Sequence, residues 1–163
     1  MQIRPFEAAE TESVVELWNA AGLVRPWNDP RADIARKLTV QPELFLVGTE
    51  TADDGAGSAG AGAVASANAG TAADSGAVVI ATAMVGYDGH RGWINYLAVD
   101  AAHRGRGYAR QLMAEAERLL IERGCPKLNL QVRAANTDAL AFYDAIGYAP
   151  DGAISYGKRL IDD

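Results

Sequence analysis

The sequence is short of the features that mark several large protein classes. Its 163 residues hold one cysteine, Cys125, so no intrachain disulfide framework can form, which fits a reducing, cytoplasmic location. No signal peptide pattern opens the chain. No apolar run approaches the ~20 residues that span a bilayer, so no membrane partner is expected. Basic charge is scarce too: 15 Lys and Arg stand against 21 Asp and Glu, a net charge of −6. That balance lacks the electrostatic footprint of a nucleic-acid binder, despite a local Arg-Gly-Arg-Gly at 104–107. A nucleotidase loop, Gly-x-x-x-x-Gly-Lys-Ser/Thr, is missing, and the spacing after Gly107 does not make a dinucleotide fingerprint. No metal site is expected.

What is present is an ordinary globular composition, 49% hydrophobic and 22% charged. The length predicts one domain, residues 1–163, with room for a real core. Gln2 to Phe6 predicts a short strand, with Pro5 placing it at an edge or end. Val14, Val15, Leu17 and Trp18 form a helical stripe within Glu7 to Ala21, and Gly22 stops it. Arg25 to Pro30 is rich in turn formers. Asp29 before Pro30 reads as an N-cap with proline at the first helical position, opening a second helix over Arg31 to Leu38.

Leu44 to Val47 and Val78 to Val85 predict two strands that pair as a hairpin. Between them, residues 51–77 hold eleven alanines and six glycines and no aromatic, lysine or arginine. That composition predicts a disordered surface insertion. Stretching a hairpin connection to this length costs only about 1.5 kcal/mol of closure entropy, so the pairing tolerates it. A turn at Asp88 to Gly92 leads into a strand over Trp93 to Val99. Further on, Lys127 to Val132 alternates as a strand, and Asn136 caps a helix through Ile146 closed by Gly147. Ser155 to Ile161 predicts a last strand, with a further short one at Tyr148. The order is βααβββαβαβ: an α/β (α+β) domain with a mixed central sheet flanked by helices.

Leu97 to Ile121 carries the strongest chemical signal. Leu97, Ala98 and Val99 end a strand, Asp100 to Tyr108 is polar, and from Tyr108 onward Leu112, Met113, Ala116, Leu119 and Leu120 mark one face of a helix. A helix start presents unpaired N–H groups and the positive end of the macrodipole. After Asp100 it carries no carboxylate, but it has Arg104 and Arg106. Gly105 and Gly107 let the backbone approach a bulky anion closely. The combination fits a pyrophosphate held by a strand–loop–helix.

Arg104-x-x-Gly107-x-Ala109 resembles the acyl-CoA loop of the GNAT superfamily of N-acetyltransferases, whose pattern is Arg/Gln-x-x-Gly-x-Gly/Ala. Asn136 to Tyr148 resembles the family's second motif: Asn, an apolar helix with Tyr seven residues on, then Gly and an aromatic. The two occur in the family's order, and the resemblance covers nearly the whole chain apart from 51–77. Arg25 to Pro30, the Gly86 to Gly92 turn and the Gly157 to Asp162 tail are most like the small bacterial YpeA-like acetyltransferases.

The resemblance implies an enzyme that moves the acetyl group of acetyl-CoA to a primary amine in a ternary complex. It implies that Arg104, Gly105, Arg106, Gly107, Tyr108 and Ala109 hold the pyrophosphate. Leu97, Ala98, Val99 and Asn136 would meet the pantetheine arm, and Tyr143 would protonate the departing thiolate. A phenol near pKa ~10 is protonated at neutral pH and can donate to a developing thiolate.

Many family members carry a Glu on the strand before the loop. Here that run is Trp93-Ile94-Asn95-Tyr96-Leu97, with no carboxylate. Asp88, His90 and Asp29 are then candidate bases, alongside a water chain. Trp27 and Asp29 are expected to line the acceptor wall, with Asp88 or His90 as the dedicated base. The missing carboxylate keeps a CoA-binding sensor without turnover as the alternative. An RNA-binding module using Arg104 and Arg106 runs against the acidic balance. A Cys125–His nucleophilic pair is disfavoured by the cysteine's place at a helix stop beside Pro126. The acceptor stays open among peptide N-terminus, lysine, polyamine, amino acid and drug, and the oligomeric state stays open too, a homodimer included.

Overall fold

The computed structural model describes residues 1–51 and 76–161. The insertion predicted at about 51–77 thus lies outside the described residues, except at its ends. Thr51 closes one strand and Ala77 opens the next, and the two are register partners. The five strands are β1 (Gln2–Pro5), β2 (Phe45–Thr51), β3 (Ala77–Tyr87), β4 (Gly92–Val99) and β5 (Leu128–Leu130), in sheet order β1-β2-β3-β4-β5. All neighbours are antiparallel except β4 and β5, which are parallel. The helices are α1 (Thr11–Ala20), α2 (Pro30–Leu38), α3 (Tyr108–Glu122) and α4 (Thr137–Ala145).

The central strands are buried on both faces, so they read as near-continuous apolar runs. Successive side chains of β2 go to opposite layers: Phe45 and Val47 join α1 and α2, while Leu46, with Leu44 just before the strand, joins α3. On the first face Val14, Val15, Leu17 and Trp18 of α1 and Ile34 of α2 cover the sheet. On the second, Leu112, Met113, Ala116 and Leu120 of α3 cover Ala81, Ala83, Val85 and Ile94. Each such large side chain contributes roughly 1.5–3 kcal/mol on burial. α4 is more lightly held: Phe142, Tyr143 and Ile146 are only partly buried against the α3 layer.

Caps follow the sequence. The Asp29 side chain accepts from the Arg31 N–H at 2.8 Å, and Pro30 takes the first helical position, where a missing N–H costs nothing. A 3-10 turn, Ala8–Glu10, precedes α1, so the helix predicted from Glu7 has an irregular first turn.

The last predicted strand does not form. Residues 155–160 form no regular structure and Ile161 lies in a bend, and Tyr156 and Leu160 are 91% and 86% exposed. Among the described residues, the tail meets the β5 side only through side chains: Lys127 with Asp151 at 2.9 Å, and Gln131 with Ser155 at 2.6 Å. An alternating pattern becomes a strand only when an edge in register takes up its N–H and C=O groups, and no backbone bond joins this tail to β5. Tyr148 is not in a strand either. It follows α4 directly, and its hydroxyl donates to Glu117 at 2.7 Å.

Candidate active site

The site begins with a defect in β4. Thr82 of β3 faces Ala98 and Met84 faces Asn95, so two residues of β4, Tyr96 and Leu97, stand opposite Ala83 alone. Tyr96 takes up the extra residue with φ +52, in the left-handed region that aromatic residues seldom enter. Three contacts hold it there. Its carbonyl accepts from Thr82 Oγ1 at 2.9 Å, Thr82 Oγ1 in turn accepts from Trp18 Nε1 at 2.9 Å, and the Tyr96 ring stacks on Trp18 at 3.8 Å.

Just before the bulge the two parallel strands separate. Their pairing runs Gly92–Leu128, Trp93–Asn129 and Ile94–Leu130 and goes no further. A cleft of about 900 Å³ opens between Asn95–Leu97 on one side and Gln131–Arg133 on the other. Its walls also include Arg25, Trp27 and Asn28 from the α1–α2 segment, Asp33 from α2, and Asn136 and Tyr143 from α4.

β4 leads from this cleft into the predicted anion loop. A 3-10 turn, Ala101–His103, is capped by Asp100, whose carboxylate accepts from the Ala102 N–H at 3.0 Å and lies 2.6 Å from His103 Nδ1. Gly105 and Gly107 have φ +76 and +78, and a Cβ at either would meet nothing within 4 Å. The loop backbone therefore faces open space on that side. α3 starts at Tyr108 with no acidic residue in its first turn, and the first bond back is Gln111 N–H to the Gly107 carbonyl. The preceding N–H groups remain for an anion, as a CoA pyrophosphate requires. Arg104 Nε donates to the Val99 carbonyl at 3.2 Å, tying the loop to the strand end. The Tyr108 hydroxyl donates to Glu50 of β2. That bond first, then the Met1 amino terminus, His103 and Arg106, hold the Glu50 carboxyl below its usual range against the cost of burial.

The predicted site residues divide. Leu97, Asn136, Tyr143 and Trp27 line the cleft. Asn136 is also the α4 cap, accepting from the Ala139 N–H at 3.2 Å. Tyr143 is partly buried, and desolvation pushes its phenol up to about 12. Among the described residues its hydroxyl makes no hydrogen bond, so the donor is uncommitted.

Asp29, Asp88 and His90 do not line the cleft. Asp29 is spent on the α2 cap. Asp88 organises the β3–β4 turn, accepting from the N–H groups of His90 and Arg91 and from Trp93 Nε1 at 3.0 Å. Those bonds, the Arg91 N–H first, lower its carboxyl to about 2, which makes it a poor proton acceptor.

Sequence reasoning missed the carboxylate that does reach the cleft. Asp33 Oδ2 accepts from the Tyr96 hydroxyl at 2.5 Å and from Asn28 Nδ2 at 2.5 Å, and Oδ1 accepts from Arg36 at 2.6 Å. The carboxylate lacking on β4 thus arrives from α2, coupled to β4 through a phenol. The one sequence signal was the absence of a carboxylate from residues 93–97.

The arrangement has the makings of an N-acyltransferase: a cleft between parting strands, a helix start free of carboxylates, and an uncommitted phenol facing a carboxylate-linked one. Solved structures share the fold. An aminoglycoside antibiotic 6'-N-acetyltransferase of Acinetobacter haemolyticus matches with TM-score 0.64 at 18% identity, covering 99% of this chain and 100% of that one. A NatC complex bound to a Gag peptide and CoA matches with TM-score 0.67 at 23% identity, covering 91% and 86%. The family model for the acetyltransferase (GNAT) family matches residues 13–148. An acetyltransferase of Yersinia enterocolitica is 43% identical over all of this chain and 98% of its own length, and one of Sodalis glossinidius is 41% identical over the same shares. The chain belongs to the GNAT family of acetyltransferases.

Proposed function

We propose that the protein transfers the acetyl group of acetyl-CoA to a primary amine by direct attack in a ternary complex. The observation that carries the reading is the uncommitted Tyr143 hydroxyl in a cleft opened by the parting of β4 and β5. Loop residues 104–109 hold the pyrophosphate through backbone N–H groups, with Arg104 and Arg106 adding charge. Leu97, Ala98, Val99 and Asn136 take the pantetheine arm. CoA in the related NatC structure supports the choice of cosubstrate.

Acetyl-CoA supplies a thioester carbonyl carbon. The amine nitrogen bonds to that carbon as the C–S bond breaks. Tyr143 gives its proton to the departing sulfur and is reprotonated from solvent. The proton lost by the amine passes to the Tyr96 oxygen while the Tyr96 proton moves to Asp33, and Asp33 returns it to water. The Asp33–Tyr96 pair offers a carboxylate in place of the one missing from β4, whose absence kept a CoA sensor without turnover as the alternative, and so supports the enzyme reading.

Acetyl-CoA consumption across an amine panel, with mass detection of the N-acetyl product, tests the reading. Turnover of at least one amine is expected. CoA binding with no acetylated product from any amine would favour the sensor. With a working acceptor, Asp33→Asn should lower kcat/KM by roughly a hundredfold with acetyl-CoA affinity nearly unchanged. A wild-type rate in that variant would make water the proton's first stop.

A further inference from the structure

The cleft carries its own statement about the acceptor. Its charged side chains are Arg25, Asp33 and Arg133. Asp33 is fully engaged by Tyr96, Asn28 and Arg36. Arg25 is not. Its Nε is buried without a hydrogen-bond partner, the one such side-chain atom among the described residues. Neither Arg25 nor Arg133 forms an ion pair with a described residue. A buried guanidinium N–H left unpaired is costly, and native structures rarely leave one without a reason.

The balance is the reverse of what a polycationic acceptor needs. The chain carries −6 overall, yet this cleft presents two uncommitted guanidiniums and one committed carboxylate. A polyamine would meet two like charges and no available counter-ion. A carboxylate on the acceptor would pair with Arg25 in the two-pronged geometry a guanidinium offers, and would satisfy Nε. The half-exposed Trp27 indole beside it provides an apolar wall for the rest of the molecule.

We infer that Arg25 is the anchor for a carboxylate on the acceptor, so that the substrate is amino acid-like: a primary amine and a carboxylate on one small molecule. This rests on reading the cleft as the acetyl-transfer site. The carboxylate pairs with Arg25, with Arg133 across the cleft adding positive potential. The amine faces the Tyr96–Asp33 pair. The N–C bond forms at the amine and the C–S bond breaks as described above; the carboxylate takes no part in the chemistry.

The test compares glycine, β-alanine, γ-aminobutyrate, L-leucine and L-phenylalanine with their primary amides. Two quantities are read: acetyl-CoA turnover, and calorimetric binding to the protein held with CoA. At least one acid should exceed its amide tenfold or more in kcat/KM, and the distance series should show which amine–carboxylate spacing fits. In Arg25→Gln the acid-to-amide ratio should collapse towards one, whereas Arg25→Lys should keep part of it. Amides turned over as well as acids, or a ratio untouched by Arg25→Gln, would overturn the inference while leaving acetyl transfer standing. Acids that bind in an Arg25-dependent way, with no amine of the wider panel acetylated, would support the anchor and remove the transferase reading. Acids that neither bind nor react would remove the anchor.

Discussion

At the scale of single residues, the proposed reaction gives the two phenols of the cleft different tasks, and their environments suit them to those tasks. Tyr143 sits against apolar neighbours, its ring edge-on to Phe142 and Tyr148, and burial raises its phenol to about 12. A raised phenol keeps its proton throughout the neutral range, which suits Tyr143 to the proposed role of donor and not to that of base. Tyr143→Phe retains the packing and removes the donor. The rate should fall by roughly a hundredfold with acetyl-CoA affinity nearly unchanged, the scale of one acid–base contribution. Because the group stays protonated up to about 12, its ionisation should produce no loss of wild-type rate below pH 10. A variant with full turnover, followed by steady-state kinetics, would reduce Tyr143 to a packing residue. The place of Tyr143 on a helix was open to sequence reasoning, and its proposed role came with the family resemblance of the motif at 136–148. The Tyr96–Asp33 bond was not open to such reasoning. It joins positions 63 apart and depends on a left-handed backbone at Tyr96 that no local pattern encodes.

At the scale of elements, helices and strands with a clear apolar period were legible, and departures from regularity were not. α1, α2, α3 and α4 and all five strands lie where periodicity and caps placed them. The bulge in β4 and the early end of β5 create the cleft, and both arise from pairing between distant segments. The tail shows the converse: Ile154, Tyr156, Leu160 and Ile161 look like strand residues, yet all are exposed in an unpaired segment. Asp29 separates local from tertiary reasoning most clearly. The residue types Asp-Pro correctly marked a helix start, but the same residue was expected in the acceptor wall. Its carboxylate instead accepts the Arg31 N–H. Asp29→Ala should therefore cost about 1 kcal/mol of stability, read by denaturant unfolding, while Asp29→Asn, an equally good cap, should cost almost nothing. Neither should raise the acceptor's Michaelis constant. A large rise with Asp29→Asn would return the residue to the substrate site.

At the scale of the whole molecule, the five-stranded sheet divides labour between its ends. β1 to β3 and the two helical layers supply a rigid core, and β4 and β5 part to make the site. The ends of the long connection between β2 and β3 lie in the first part. Thr51 and Ala77 are register partners at the far end of the β2–β3 ladder from Phe45 and Met84. Two residues in a type I′ turn can close an antiparallel pair at that point, and Asn-Gly is the sequence that prefers it. Replacing residues 52–76 with Asn-Gly should leave the ladder intact. It should also return roughly 2 kcal/mol of loop-closure entropy, so the midpoint of thermal unfolding should hold or rise. The cleft draws its walls from the α1–α2 segment, α2, β3, β4, β5, α4 and the tail, and the anion loop lies between β4 and α3. CoA affinity measured by calorimetry should thus match the full chain. A shortened protein that fails to fold, or folds and loses CoA, would show that the connection packs on the body of the domain and contributes to it.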